Sequence, residues 1–162
     1  VSLPHDVILP HTWIRLYGLQ ALVKSRLILV PKQSLDRAVR HSDDLRQYLW
    51  RAILRDEAIN HERILNLARR DAASRVAHLF CEFRERGGLA EPNAGLPLTQ
   101  QQIASITGQT PINVNRIMRD FQRAGYLTRE RSRVSILDWS GLEQVASFNP
   151  LYLQQENLTR AA

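Results

Sequence analysis

The sequence predicts a mainly α protein with a small β component. Three observations carry that prediction. Residues 43–67 contain no Gly or Pro and place apolar residues at helical spacings. Two further helices, each opened by a Thr at the N-cap position, are separated by a three-residue break around Gly108. Behind them, short runs rich in β-branched residues flank a polar turn and read as one hairpin.

The N-terminal segment differs from the rest. Val7-Ile8-Leu9 and Leu27-Ile28-Leu29-Val30 are strand-length apolar runs between the breakers Pro4, Pro10, Gly18 and Pro31. Thirty residues of strand close no sheet alone, so this segment is expected to be the tail of a β domain. The first residue is Val1, which fits a fragment or a processed product.

Ser34 is expected to cap a short turn, and Ser42 a longer helix. Within that helix Leu49, Ile53, Asp56, Asn60, Ile64 and Leu67 form a seam with steps of three and four, polar in its middle. Two readings stand side by side: a surface helix packed on its own domain, or a dimer helix whose polar centre fixes register or faces a ligand. Asp71 is a good N-cap for the following helix, whose stripe is Val76, Leu79, Phe80 and Phe83. That helix stops at Gly87-Gly88, and a Pro- and Gly-containing loop follows.

Thr99 and Gln102 stand at capping-box spacing before the helix 100–107. Thr110-Pro111 places a cap and an N1 proline before a helix that runs to about Ala124, with Gly125 at its end. Val114, Ile117, Met118 and Phe121 are expected to face inward. Next comes a hairpin with its turn at 129–132. A last helix follows, capped by Asp138 and running to Phe148, with Pro150 as its stop. Two capped helices with a glycine break between them have helix-turn-helix spacing, and the hairpin supplies a wing.

Charge supports a polyanionic partner by its placement. The 162-residue chain carries 22 basic and 16 acidic residues, net +6, and only Lys24 and Lys32 are lysines. Residues 108–133 hold six arginines and two acids, whereas residues 1–62 hold nine basic and seven acidic residues. The second helix of the pair presents free N–H groups at its start, which attract phosphate. Arg116 lies where a long side chain reaches a guanine O6/N7 pair, and Asn113 and Asn115 are amide readers or phosphate donors. Arg129, Arg131 and Arg133 at the hairpin tip are placed to meet an adjacent phosphate strand. The competing reading is a winged-helix protein-interaction module without DNA readout, its basic helix docked on an acidic partner.

Other chemistries find little support. One cysteine, Cys81, excludes an internal disulfide and a cysteine-only metal site. His78 and Cys81 stand at i, i+3, but without a third ligand nearby they read as packing residues. There is no Walker loop, HExxH or nucleophile elbow, so no enzyme is expected. The longest apolar run is far too short to cross a membrane. Trp13, Trp50 and Trp139 read as core or interface anchors.

Residues from about Asn66 to Leu153 resemble the C-terminal region of the Crp/Fnr superfamily of bacterial transcription regulators. The resemblance rests on Arg70-Asp71-Ala72-Ala73-Ser74-Arg75-Val76-Ala77-His78-Leu79 and Leu96-Pro97-Leu98-Thr99-Gln100-Gln101-Gln102-Ile103-Ala104. It continues through Gly108 to Pro111, Val114-Asn115-Arg116 and Phe148-Asn149-Pro150-Leu151-Tyr152-Leu153. It extends more weakly over residues 1–63. What it implies is a cytoplasmic homodimer in three parts. Residues 1–41 would be the C-terminal remnant of a β-roll sensor, cyclic-nucleotide-binding-like in type. Residues 42–68 would be the long dimerisation helix, and residues 69–162 the winged helix-turn-helix DNA-binding domain. By position, Ile112, Asn115 and Arg116 match the family's base readers. Thr99, Gln101, Thr110 and Asn113 match its phosphate contacts, joined by Arg119, Arg131 and Arg133. Family members commonly carry Glu where this chain has Ile112, so the half-site should differ. Asn60 and His61 match the ligand-facing stretch of the dimer helix. Cyclic nucleotide as effector and RNA polymerase as partner are implied by the family alone, and no effector is named.

Overall fold

The computed structural model describes residues 21, 25–26, 28–87, 98–130 and 133–153. Among them the fold is helical with one two-stranded sheet, in the order α1 (Lys32–His41), α2 (Asp43–Arg69), α3 (Ala72–Glu85), α4 (Gln100–Thr107), α5 (Pro111–Arg123), β1 (Leu127–Glu130), β2 (Arg133–Ile136), α6 (Trp139–Ala146) and a 3-10 turn (Pro150–Leu153). The mainly α class with a small β part is therefore observed.

Residues 28–41 depart from expectation. Residues 28–30 form no strand, and Ile28, Leu29 and Val30 are exposed. The rest of the anticipated β segment, including Trp13 and Leu27, lies outside the described residues. Residues 32–41, placed with the β-roll remnant, are helical. Their helix opens at Pro31 rather than Ser34, because the Pro31 carbonyl accepts from the backbone N–H groups of both Ser34 and Leu35.

Helix α2 has 27 residues, a length of about 40 Å. Ser42 caps it by accepting from the Leu45 N–H at 3.1 Å. Only Ala52 and Ile59 are buried along its length. Helix α3 is the opposite case. Asp71 caps it, accepting from the Ser74 N–H at 2.8 Å. All eight residues from Val76 to Phe83 are buried, since α4, α5, α6 and the C-terminal turn all pack against this helix. The expected four-residue stripe was too narrow: Ala77, His78, Cys81 and Glu82 are buried too. Burial pushes the Cys81 thiol up to about 12, so it is an inert packing group.

The core closes with Val114, Ile117, Met118 and Phe121 of α5, Ile103 and Ala104 of α4, Leu127 of β1 and Leu142 of α6. In the hairpin, Leu127 pairs with Ile136 and Glu130 with Arg133. Strand pairing thus reaches Glu130 and Arg133, so residues 129 and 130, expected in the turn, are in the strand. Pairing carries Arg129 into the strand opposite Val134, where it is half-buried. Helix α6 ends at Ala146, two residues short of Phe148, because Ser147 takes a left-handed conformation (φ 46°). Pro150 then opens the 3-10 turn and brings Tyr152 back onto α3.

Gly141 is required by a close approach. A Cβ there would stand 2.5 Å from Tyr126 Cε1 and 2.5 Å from Asp138 Oδ2. Tyr126 is fixed at the wing's base by an edge contact with Phe121. Gly141→Ala is expected to lower unfolding free energy by about 1–3 kcal/mol through overpacking, measured by urea unfolding.

A buried polar cluster ties α2 to α3 and the C-terminal turn. Glu62 Oε1 accepts from Arg70 Nη1 at 2.6 Å and lies 3.1 Å from His78 Nε2. Asn66 Nδ2 stands 3.1 Å from His78 Nδ1. On the next turn of α3, Glu82 accepts from Arg86 at 2.7 Å and from the Tyr152 hydroxyl at 3.1 Å. Burial, and then the Arg70 charge, hold the His78 imidazole below its ordinary pKa. The unfolded chain therefore binds more protons at this residue below about pH 6.5. Stability is expected to fall as pH drops through that value, and His78→Gln to flatten the dependence, read from urea midpoints between neutral and mildly acidic pH.

Candidate nucleic-acid interface

The interface is built on α4 and α5. Thr99 Oγ1 accepts from the Gln102 N–H at 3.2 Å, and Gln102 Oε1 from the Thr99 N–H at 2.8 Å, so the expected capping box is complete. Gly108 ends α4 in the left-handed region (φ 65°), a conformation that a Cβ would strain. Two residues later Thr110 Oγ1 accepts from the Asn113 N–H at 3.2 Å and Pro111 fills N1. These local devices aim α5 with one face on the core and the other on solvent.

The outward face carries Ile112, 84% exposed, and then Arg116, Arg119 and Arg123, all exposed. Asp120 sits among them, 3.5 Å from both the Arg116 and Arg123 guanidinium groups. The two asparagines are half-buried rather than open. Asn115 Nδ2 donates to Gln100 Oε1 at 2.9 Å, joining α5 to the first residue of α4. Asn113 Nδ2 donates to Gln109 Oε1 at 2.6 Å, and Asn113 Oδ1 accepts from Arg116 Nη2 at 2.9 Å. One of the two N–H groups on Asn113 Nδ2 is thus committed inside the protein.

Thr99, Gln101 and Thr110 are exposed at the two helix starts. Their polar groups and the unpaired N–H groups there suit phosphate oxygens. Arg131 and the Arg133 side chain lie outside the described residues. Asn60 and His61 are exposed on α2, away from this pair of helices. Asn60 Oδ1 accepts from Arg63 at 3.3 Å, and His61 lies 4.0 Å from Glu57. Gln100 and Gln109 were given no role from sequence, and Asp120 only a polar position on the helix. For Gln109 and Asp120 a signal was present as i, i+4 spacings (109 to 113, 116 to 120), whereas Gln100 meets Asn115 fifteen residues away, with no local signal. Among the described residues no group of three His, Cys, Asp or Glu side chains could hold a metal ion. No described helix is long and apolar enough to cross a membrane.

Comparison with known proteins agrees with this geometry. Residues 74–145 match the model of the Crp-like helix-turn-helix domain. The chain is 28% identical over 131 residues to the fumarate and nitrate reduction regulatory protein of Shigella dysenteriae, covering 78% of this chain and 52% of that protein. It is 30% identical over 127 residues to the transcriptional activator protein FnrA of Stutzerimonas stutzeri, covering 76% and 52%. The chain spans about half the length of the curated relatives it matches. Its fold resembles FixK2 from Bradyrhizobium japonicum, with a TM-score of 0.67, 22% identity, and coverage of 74% of this chain and 61% of that one.

Proposed function

We propose that the chain, whose residues 74–145 match the Crp-like helix-turn-helix domain, is a Crp/Fnr-type transcription regulator that reads double-stranded DNA sequence-specifically as a homodimer. The observation that carries this is the outward row on α5, with Ile112 and Arg116 exposed on a helix whose opposite face is locked in the core. Arg116 reads guanine O6/N7, and Ile112 packs on a thymine methyl where a carboxylate would have read cytosine. Asn115, with an N–H given to Gln100, keeps Oδ1 as an acceptor for an exocyclic amino group of adenine or cytosine. Thr99, Gln101, Thr110, Asn113, Arg119, Arg131 and Arg133 contact phosphates and set register.

Residues 42–68 pair two subunits. Trp50, Leu54, Ile64, Leu65 and Leu67 of α2 are all large and exposed in one chain, an apolar surface that a second copy would cover. Residues 1–41 belong to a sensor whose state shifts the population of dimers able to bind. Asn60 and His61 sit on the helix that would receive that signal. Cyclic nucleotide as effector, RNA polymerase as partner and a cytoplasmic setting follow from the family only.

The test is fluorescence anisotropy of the purified protein on a duplex pool across about 50–200 mM salt. A steep log–log salt slope with duplex preferred over single strands supports the proposal. A folded dimer that binds no duplex overturns it and favours the protein-docking module.

A further inference from the structure

We infer that Gln109, in the turn between α4 and α5, is a positioning residue that determines how strictly Arg116 reads its base. The inference rests on the DNA-reading role proposed for Arg116. Gln109 Nε2 donates to the Ala72 carbonyl at 3.2 Å, at the start of α3. A backbone carbonyl only accepts, so this contact fixes which end of the Gln109 amide faces inward. Oε1 is thereby turned to Asn113, whose Nδ2 donates to it at 2.6 Å. Asn113 must then present Oδ1 on its other side, where it accepts from Arg116 Nη2 at 2.9 Å. Each link dictates the donor and acceptor sense of the next. The relay begins at a backbone group that has no alternative orientation and ends at the guanidinium.

The consequence is directional. Asn113 holds one terminal nitrogen of Arg116, and Asp120 approaches the other at 3.5 Å. A long side chain that otherwise samples many rotamers is held along the exposed face before DNA arrives. Guanine needs two N–H groups in one plane, so orientation controls base discrimination more than overall attraction. Gln109 itself touches no nucleic acid in this account. Its effect passes through Asn113.

The experiment compares wild type, Gln109→Met, Asn113→Ala and Arg116→Ala on the duplex wild type selects, on that duplex with each other base at the Arg116 position, and on an unrelated duplex. Gln109→Met keeps volume and removes both amide contacts. Asn113→Ala breaks the same relay at a helix-surface position, so a folding failure of the first variant leaves the test intact. Both are expected to lose about threefold to tenfold of guanine preference, and Gln109→Met to leave affinity for the unrelated duplex and the salt slope little changed. Gln109→Glu keeps an acceptor for Asn113 and is expected to retain more of the preference than Gln109→Met. If Gln109→Met and Asn113→Ala keep full guanine preference while Arg116→Ala loses it, Gln109 has no positioning role and the interface stands. If Arg116→Ala itself keeps the wild-type preference, the reading of Arg116 fails and the inference with it.

Discussion

Arg116→Ala is expected to weaken binding to the selected duplex by about 1–3 kcal/mol and to make the four bases equivalent at one position of each half-site. The reason is geometric. Arg116 is exposed, its terminal nitrogens are held along the helix by Asn113 and Asp120, and the helix beneath it is fixed by Val114, Ile117 and Met118. Arg119→Ala is the internal contrast. An arginine that meets only phosphate should weaken all sequences alike and lower the salt slope by about one. Competition binding with a set of single-base variants separates the two. An Arg116→Ala protein that discriminates among them as wild type does would remove Arg116 from the readers.

Ile64→Glu is expected to give a folded monomer that has lost palindrome binding. Ile64 is 62% exposed on α2, and Leu67, one turn on, is 57% exposed, so neither holds the single chain together. In a dimer each would face its counterpart, and two carboxylates would be desolvated in an apolar seam. Sedimentation should show the monomer mass with unchanged far-UV circular dichroism. Affinity for a palindromic duplex should fall about a hundredfold or more, because the second half-site is no longer bound intramolecularly. A variant that stays dimeric would place the subunit contact elsewhere than this seam.

The parts of the fold governed by local chemistry were readable in the sequence. Thr99 with Gln102, Thr110 with Pro111, and Asp138 all cap the helices expected of them, because a cap depends on residues three apart. The inward set on α5 was equally plain from its period. What failed depended on distant partners. The apolar run ending at Val30 resembled a strand, yet a strand needs a neighbour and residues 28–30 have none among the described residues. The burial of Ala77, Cys81 and Glu82 exceeds any one-sided stripe because α3 is packed from several directions, which no local pattern encodes. Arg129 and Glu130, expected in the turn, belong to the strand instead, since pairing with Val134 and Arg133 outweighs the turn preference of a charged run.

The candidate site divides in the same way. Arg116 and Arg119 were read as outward positions of α5 from helical spacing and Ile112 from the family resemblance, and all three are exposed. What spacing did not show is that the two asparagines are half-buried, each giving an amide N–H to Gln109 or Gln100, residues of the turn and α4. Polar side chains of one type on one face serve as readers or as braces according to what the neighbouring element offers, and spacing within a helix does not distinguish them.

The central claim is that two copies of α5 read two inverted half-sites. Selection of bound sequences from a random duplex pool by the purified protein tests it most directly. The expected result is enrichment of an inverted repeat whose half-site centres lie one DNA turn apart, roughly 34 Å, each carrying a guanine that Arg116→Ala no longer selects. Enrichment of no sequence, or of one without an inverted repeat and indifferent to Arg116, would contradict it.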